Sequence, residues 1–321
     1  MKKVIVAGGA GFIGSHLVDR LLTRNDVEKI MVVDNLWTGE INNLAHIKDE
    51  RLNVEICDVE KFQTDMMFDE VYHLASPAAP QWYASNPLRT ISANVIGAFR
   101  LRELMKKHGR FCYTSTSEVY GDPKVSPQPE SYRGSVDCTG PRSSYDEGKR
   151  CTEAFLFECQ RLYGMDIRVV RLFNVYGPRT KVDDGRCVSN FVTQALQGQP
   201  ITIYGNGEQS RSWGYVSDIV EGLERFFWRT EHDYRGPLNV GNNREISVID
   251  VARYIMKLVP GSTITFLPPA PQDPTNRCPD LTIANKVLPG WTCGIPYEQG
   301  VKMTMDWFAA QMNIDTRSEA A

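Results

Sequence analysis

The residues best suited to acid–base chemistry in this 321-residue chain are a tyrosine and a lysine, Tyr145 and Lys149. A spacing of four positions suits one helical turn, which places both side chains on one face. A lysine ammonium beside a phenol stabilises the phenolate. The spacing therefore predicts that Tyr145 accepts a proton near neutral pH; an ordinary surface pair on a helix is the alternative.

A second segment with reactive side chains lies upstream, at residues 113–121. Thr116 offers a hydroxyl that can hold a substrate alcohol, and Ser117 follows it. Glu118 adds an acid–base group that simple alcohol oxidation does not require, although an acid at this place also fits a helix cap. Together the two segments predict an enzyme that oxidises a substrate carbon and then carries out a second reaction.

The beginning of the chain carries a glycine pattern typical of dinucleotide sites. Residues 4–7 are apolar and predict a buried strand. Gly8, Gly11 and Gly14 follow, with Phe12 and Ile13 between them, and residues 15–22 have helical periodicity. Such glycines let the backbone approach a pyrophosphate at a helix N-terminus. A purely structural turn is the alternative, because a glycine triplet alone is weak evidence for a dinucleotide site.

Asp34 strengthens the nucleotide interpretation. It ends a second apolar strand, residues 30–33, at the distance from the glycines where an acid binds the adenosine ribose hydroxyls. An acid there repels a 2′-phosphate, so the pattern favours NAD over NADP. A plain strand-end acid or helix cap is the alternative.

Two further predicted strands, residues 54–59 and 71–76, bring more candidates to the same edge of the sheet. Asp58 is a candidate for contact with the adenine. The sequence is equally compatible with Asp58 as an ordinary acid in a loop. His73 lies inside its strand and is expected to be a core residue. The predicted cofactor contacts are Gly8, Gly11, Phe12, Ile13, Gly14, Asp34, Asn35, Asp58, Val59, Leu74, Ala75, Ser76, Asn94, Tyr145 and Lys149.

The elements that position these residues alternate between helix and strand. Helical periodicity covers residues 87–108, where Gly109 is expected to end the helix, and a strand is predicted at 111–114. A Pro-, Ser- and Gly-rich loop at 122–141 precedes a helix at 142–163 and a strand at 167–172. This alternation predicts an α/β fold, a Rossmann-type doubly wound parallel sheet.

The composition changes after residue 175, where short elements are separated by Gly and Pro. We expect an NAD-binding domain at 1–175 and a smaller C-terminal α/β substrate lobe at 176–321, with some later segments returning to the large sheet. The segment 271–279 is rich in proline and contains Arg277. Residues from Asn313 onward resemble a frayed polar tail.

Bulk properties exclude several classes of function. The chain has 36 Lys and Arg against 39 Asp and Glu, for a net charge of -3. That balance argues against a nucleic-acid or anionic-membrane surface. No apolar run reaches a membrane span, and no signal-peptide pattern precedes the glycines. The eight cysteines lack CxxC pairs, so free thiols in a reducing cytoplasm are expected, with neither a disulfide frame nor a metal site.

The chain resembles the extended short-chain dehydrogenase/reductases that act on nucleotide sugars. The glycine loop, the Tyr145-x-x-x-Lys149 pair and the string at 174–179 carry that resemblance. Within the group it is most similar to UDP-glucuronate decarboxylase, also called UDP-xylose synthase. The matching strings span nearly the whole chain at 115–123, 140–142, 145–150, 184–186, 188–191, 194–198, 215–218, 273–274 and 277–280. In the related 4,6-dehydratases the position of Ser117 is typically Asp, so serine argues against dehydration.

The resemblance implies a redox-neutral cycle with NAD retained. Tyr145, helped by Lys149, takes the proton of the sugar 4-hydroxyl while C4 gives hydride to NAD+, and Thr116 holds that hydroxyl. The resulting β-keto acid loses CO2, and Glu118, Ser117 or Arg277 steers a proton to C5. Hydride then returns to C4 and gives a pentose.

The resemblance also implies a substrate-binding set. Arg277 pairs with the carboxylate or the pyrophosphate, or forms an ion pair with Asp280. Arg179, Arg186 and Arg211 are each equally compatible with ion pairs that fix the lobes, although Arg211 is the best phosphate candidate. Tyr204 and Phe191 are expected to pack around a base, with plain core as the alternative. The full set is Asn174, Arg179, Val188, Phe191, Thr202, Tyr204, Gln209, Arg211 and Arg277.

Three functions remain open from the sequence. The first is the decarboxylase, the second an epimerase or dehydratase on the same scaffold, and the third a non-catalytic dinucleotide sensor. A small-molecule nucleotide sugar is the expected partner. The predicted helices at 87–108 and 142–163 are apolar on more than one face, so two copies are expected to pair through a four-helix bundle as a homodimer.

Overall fold

The computed structural model describes residues 1–228, 233–269 and 276–314. Its main layer is a seven-stranded sheet in the order β10-β6-β5-β4-β1-β2-β3. Every neighbouring pair in it is parallel. The strands are β1 (Lys2–Ala7), β2 (Val27–Asp34), β3 (Leu52–Ile56), β4 (Phe68–His73), β5 (Met105–Thr116), β6 (Asp166–Leu172) and β10 (Leu238–Val240). The prediction of a doubly wound α/β fold is therefore confirmed.

Helices cover both faces of this sheet because side chains of successive strand residues point to opposite faces. Val4 and Val6 of β1 pack in one core, whereas Ile5 and Ala7 pack in another. The helices in chain order are α1 (Phe12–Leu22), α2 (Pro80–Ser85), α3 (Pro87–Glu103), α4 (Ser143–Tyr163), α5 (Cys187–Leu196), α6 (Val216–Trp228), α7 (Val248–Leu258), α8 (Thr282–Val287) and α9 (Tyr297–Met312). Leucines of α1 and α6 join the first core, and α3 and α4 supply the second.

The remaining strands form two small sheets. β7 (Asn174–Tyr176), β9 (Ser210–Tyr215) and β11 (Glu245–Ser247) make one, in the order β11-β9-β7. β8 (Ile201–Tyr204) pairs with β12 (Ile264–Leu267) in the other. A third core joins these sheets to α5, α7 and α9.

Some later segments return to the large sheet, as expected. β10 pairs with β6 through Leu238 opposite Val170 and Val240 opposite Leu172. Leu223 and Phe226 of α6 pack in the same core as β1. The sheet is therefore completed at one edge by a strand that lies in sequence between elements of the two small sheets.

The prediction of a helix over 87–108 is wrong at its C-terminal end. α3 ends at Glu103, and Met105 already pairs with Phe68 of β4. Met105 is buried in the core beside that strand, so sheet pairing prevails over helical continuation. Gly109 lies inside β5, next to a register irregularity.

Other boundaries differ less. β3 ends at Ile56 and β4 at His73, so Asp58 and Ser76 lie in the connections beyond their strands. α4 begins at Ser143 and ends before Gly164, whose left-handed φ of 64° closes the helix. Asp273, Pro274 and the tail beyond Ile314 lie outside the described residues. Within the described ranges, no helix has the length and apolar character needed to cross a membrane.

Candidate active site

A cleft of about 1040 Å³ opens at the carboxyl ends of the parallel strands. The strand order reverses between β1 and β4, which is where ligands bind in doubly wound sheets. Gly8, Asp34, Leu74 and Thr116 line it from the sheet side, and Phe191, Tyr204 and Arg211 line it from the small lobe. This volume lies at the upper end of the range for small-molecule sites.

The glycine loop forms one end of the cleft and fits a dinucleotide. Gly8 has a φ of 82°, and a Cβ there would lie 2.7 Å from the backbone nitrogen of Ala75. A Cβ on Gly14 would collide with the carbonyl of Gly8. α1 begins at Phe12 beside the cleft, and the first N–H groups of a helix lack intrahelical partners. This cradle has the shape and polarity for the pyrophosphate of NAD.

Asp34 ends β2 at the cleft wall. Its Oδ2 accepts from the backbone N–H of Ala10 at 3.0 Å, and its Oδ1 accepts from that of Leu36 at 2.9 Å. Burial raises the pKa of Asp34, and these backbone hydrogen bonds oppose the rise. The carboxyl is thereby held in one orientation beside the glycine loop, where a ribose diol can reach it.

Tyr145 lies in the first turn of α4, its side chain on the cleft wall. Its ring stacks on that of Tyr83 from α2, with centroids 5.2 Å apart and planes 7° apart. Burial raises the pKa of Tyr145 to about 12, and a hydrogen bond with Thr116 only partly offsets it. The phenol is therefore protonated at neutral pH in the protein alone.

Lys149 lines the cleft together with Tyr145, and its ammonium is bound to the backbone. Its Nζ donates to the carbonyl of Thr114 at 2.8 Å and lies 5.9 Å from the Tyr145 ring centroid. Burial lowers the pKa of Lys149 to about 7. The negative charge of Glu153 opposes this fall only in part.

Hydroxyl groups gather where β5 ends. Ser115, Thr116 and Ser117 line the cleft, and Thr116 Oγ1 accepts from the backbone N–H of Glu118 at 3.2 Å. That bond caps the short 3-10 helix of residues Ser117–Tyr120. The turn fixes Glu118 at the cleft wall close to Tyr145.

Glu118 is held by two guanidinium groups. Its Oε2 accepts from Arg142 and, at 3.1 Å, from Arg277 Nη2. Burial alone would raise the pKa of Glu118, yet Arg277 and Arg142 outweigh it, so that pKa lies below its usual value. Glu118 is therefore an ionised carboxylate at neutral pH.

The two arginines occupy different places. Arg142, the N-cap residue of α4, lines the cleft. Arg277 is 2 % exposed, does not line the cleft, and donates from Nη1 to the carbonyl of Gly121 at 2.6 Å. Arg277 therefore pairs with Glu118 in this structure, and its contact with a substrate anion stays a prediction.

Most other predicted ligand contacts reach the cleft. Val59, Leu74, Ala75, Ser76 and Asn35 line it on the cofactor side. The substrate-side residues that line it are Asn174, Val188, Phe191, Thr202, Tyr204, Gln209 and Arg211.

Besides Arg277, three predicted contacts do not line the cleft. Asp58 accepts from Arg89 at 2.6 Å and from Asn35 at 2.9 Å, so it ties α3 to the loop after β2. Asn94 is buried within α3, where its amide donates to the carbonyl of Thr90 at 2.9 Å. Arg179 forms an ion pair with Asp19 of α1 at 2.7 Å. This contact corresponds to the alternative in which Arg179 fixes the two lobes by an ion pair.

Three residues that line the cleft had no role predicted from the sequence: Tyr83, Arg142 and Trp37. Arg142 lies three residues before Tyr145, and that helical spacing was the available signal. Trp37 follows Asp34 closely and carries Arg89 over its ring at 4.8 Å. Nothing local singled out Tyr83, because its partner Tyr145 is distant in sequence.

Comparison with known proteins agrees with this geometry. Residues 4–241 match the NAD dependent epimerase/dehydratase family. The chain belongs to that family.

Several relatives that are similar along almost the whole chain are decarboxylases. The chain is 44% identical over 318 residues to UDP-glucuronic acid decarboxylase 6 of Arabidopsis thaliana, covering 97% of this chain and 90% of the relative. It is 43% identical over 317 residues to UDP-glucuronic acid decarboxylase 1 of Xenopus tropicalis, covering 97% and 73%. Among solved structures, UDP-glucose 4-epimerase of Thermotoga maritima with UDP-glucose superposes with a TM-score of 0.84 at 29% identity, covering 97% and 99%.

Proposed function

We propose that this chain catalyses the NAD-dependent decarboxylation of UDP-glucuronate to UDP-xylose. The observation that carries the proposal is the Arg142–Glu118 pair on the cleft wall beside Tyr145. A guanidinium facing the cleft can hold a uronate carboxylate, and the neighbouring ionised Glu118 disfavours a second negative charge. The identity of 42% or more to several UDP-glucuronic acid decarboxylases supports the same substrate.

Tyr145 is the base for the sugar 4-hydroxyl in this proposal, and Thr116 orients that hydroxyl. Gly8, Gly11, Gly14 and Asp34 would hold NAD+, which when bound would accept hydride from C4 and later return it. A positive charge bound beside Tyr145 would also favour its phenolate, which the buried side chain does not form by itself. Lys149 reinforces this effect in its protonated form.

Loss of CO2 needs little further catalysis once C4 is a ketone. The electron pair of the bond between C5 and the carboxylate passes into the C4 carbonyl, so orientation and burial of the carboxylate suffice. Arg142 positions the carboxylate, and Glu118 and Ser117, which line the same cleft, are assigned to steering the proton to C5. Arg277 keeps Glu118 ionised and in place.

We further assign NAD binding to residues 1–175 and sugar-nucleotide binding to residues 176–321. The glycine loop, Asp34 and Tyr145 precede that boundary, whereas Phe191, Tyr204 and Arg211 follow it. All eight cysteines are free thiols, which supports action in a reducing cytoplasm. A fluorescent fusion examined in the native cell tests the compartment.

We also propose that the enzyme is a homodimer built on α3 and α4. Phe99 of α3 is 47% exposed and stacks on Phe155 of α4, with centroids 3.8 Å apart. Ile96 is 52% exposed and Leu162 is 70% exposed on the same helices. Two such faces can pair across a dyad. Light scattering should give a dimer, and Phe99→Glu should give a monomer; a monomeric wild type would contradict the assembly.

The catalytic proposal is tested by incubating the purified protein with UDP-glucuronate and analysing products by mass spectrometry and headspace CO2. We expect UDP-xylose and CO2 without net NADH. The Tyr145→Phe variant is the control for background decarboxylation. Formation of UDP-galacturonate without CO2 would replace this proposal with an epimerase, and a dehydrated product from UDP-glucose would replace it with a dehydratase.

A further inference from the structure

One buried acid at the site has no role in the cycle described above. Asp146 follows Tyr145 in α4 and is 6% exposed. Its Oδ1 has no hydrogen-bond partner among the described residues, and its Oδ2 lies 3.9 Å from Arg142 Nε. An acid this poorly solvated and this weakly paired is costly when ionised.

Its surroundings explain why the neutral form is favoured. Burial, followed by the charge of Glu118, raises the pKa of Asp146 to about 7, and Arg142 and Arg277 oppose that rise. The charged and titratable groups that act on it are Glu118, Arg142, Arg277, Glu147, Tyr83 and Tyr145. Asp146 is therefore poised to gain or lose a proton when a charge enters or leaves the cleft.

Decarboxylation of a uronate consumes one proton. The bond from C5 to the carboxylate breaks, CO2 leaves as a neutral molecule, and the electron pair left in the enolate is taken up by a proton at C5. Tyr145 returns its own proton to the sugar oxygen at C4, so it cannot supply this one. Glu118 is held ionised by Arg142 and Arg277, so it holds no proton in the resting site.

We propose that Asp146 holds the proton consumed at C5. This inference rests on the decarboxylase function proposed above. When the substrate carboxylate reaches Arg142, three carboxylates share two guanidinium groups, and the acid without a hydrogen-bond donor takes up a proton from solvent. After CO2 has left, that proton passes by a water molecule to C5. Asp146 does not line the cleft, so it is a positioning and proton-holding residue, not a catalytic one.

Lys149 is the competing proton holder, since burial places its pKa at about 7 as well. Its ammonium already donates to the carbonyl of Thr114 at 2.8 Å, within the sheet. Its charge acts beside Tyr145, where C4 reacts. Proton uptake that survives removal of the Asp146 carboxyl would assign the role to Lys149.

The test measures protons taken up when UDP-glucuronate binds. Tyr145→Phe serves as the background, so that binding occurs without turnover, and calorimetry is run at pH 7.5 in two buffers of different ionisation enthalpy. We expect uptake of about half to one proton in this background and almost none after Asp146→Asn is added. Glu147→Gln is the matched control, because Glu147 is half-buried and its nearest cation is Arg150 at 3.5 Å. It should change the uptake only slightly, because Glu147 has the smallest effect of the groups named above that raise the pKa of Asp146.

A second measurement uses otherwise wild-type enzyme. In wild type, kcat should fall about tenfold per pH unit above the apparent pKa of Asp146, because only the protonated form supplies C5. Asp146→Asn should lower kcat about tenfold or more at pH 6.5 and abolish that decline, whereas Asp146→Glu should restore both. An equal loss at every pH with unchanged proton uptake would reduce Asp146 to a packing role. Absence of CO2 from wild type would overturn the decarboxylase as well, which separates the two failures.

Discussion

Tyr83 and Tyr145 form a parallel stack, with ring centroids 5.2 Å apart. Tyr83 also carries the guanidinium of Arg142 over its ring at 6.0 Å from the centroid. One aromatic side chain from α2 thus contacts both the proposed base and the cation on the cleft wall. The stack fixes the ring of Tyr145 in a plane from which its hydroxyl reaches Thr116.

We expect Tyr83→Ala to lower kcat about tenfold, since an aromatic pair contributes about 0.5–1.5 kcal/mol beyond simple burial. Tyr83→Phe keeps the ring and should retain activity within about threefold. Steady-state turnover of UDP-glucuronate measures both. Equal losses in the two variants would show that the hydroxyl, not the stacked ring, matters.

Tyr145→Phe should lower kcat by about a hundredfold or more, because the variant lacks the proton acceptor but keeps the stacked ring. Circular dichroism and the amount of NAD released on denaturation should match wild type. Near-normal kcat would remove Tyr145 from the mechanism.

Asp34→Ala should weaken NAD binding about tenfold to a hundredfold, which corresponds to the loss of a charge-assisted hydrogen bond. Binding of the sugar nucleotide should change much less, since Asp34 lies at the glycine-loop end of the cleft. Asp58→Ala is the matched control, because Asp58 is paired with Arg89 away from the cleft wall. If calorimetry found equal losses of affinity for NAD and for the sugar nucleotide, the assignment of the two ligands to opposite ends of the cleft would be contradicted. Release of NADP(H) from denatured wild type would contradict the selectivity assigned to Asp34.

The Arg277→Ala and Arg142→Ala variants should lose activity for different reasons. Arg277 helps to hold the pKa of Glu118 below its usual value, so its loss raises that pKa. The fall of kcat/KM toward low pH should then begin at a higher pH, with little change in UDP binding. Arg142→Ala should instead raise KM for UDP-glucuronate, because it removes the cation on the cleft wall. An equally raised KM in Arg277→Ala would place Arg277 on the substrate carboxylate.

Asp146→Asn should stabilise the protein more at pH 8 than at pH 5. The pKa of Asp146 is raised from 3.8 to about 7 in the folded protein. Between these values the folded state retains a proton that the unfolded state releases, so stability falls as pH rises through this window. Asparagine cannot ionise, so the Tm difference between variant and wild type should become more positive with pH. A constant difference would mean that this carboxyl titrates normally.

Local patterns allowed much of the fold and site to be predicted. Each of the patterns used was formed by residues close together in sequence: the glycine loop, Asp34 at the end of a strand, and the Tyr145–Lys149 pair. The helical periodicity of α4 was also visible in the sequence. The end of α3 was not predictable, because Met105 is recruited by a strand that lies far away in sequence. Nonlocal pairing also decided the place of Arg277, which reaches Glu118 across 159 residues. The pKa values of Tyr145 and Lys149 depend on burial, which no spacing of residue types reveals.

The pairing of β10 with β6 limits how the molecule can be divided. Residues 1–175 taken alone would lack β10, so the N–H and C=O groups of Val170, Arg171 and Leu172 on that side would face water. An open parallel edge invites pairing with other chains. Tyr120, whose hydroxyl donates to Asn239 at 2.7 Å, would lose a buried partner at the same time. A truncated nucleotide-binding half should therefore aggregate, and a soluble minimal version would need residues 238–240 grafted after residue 175.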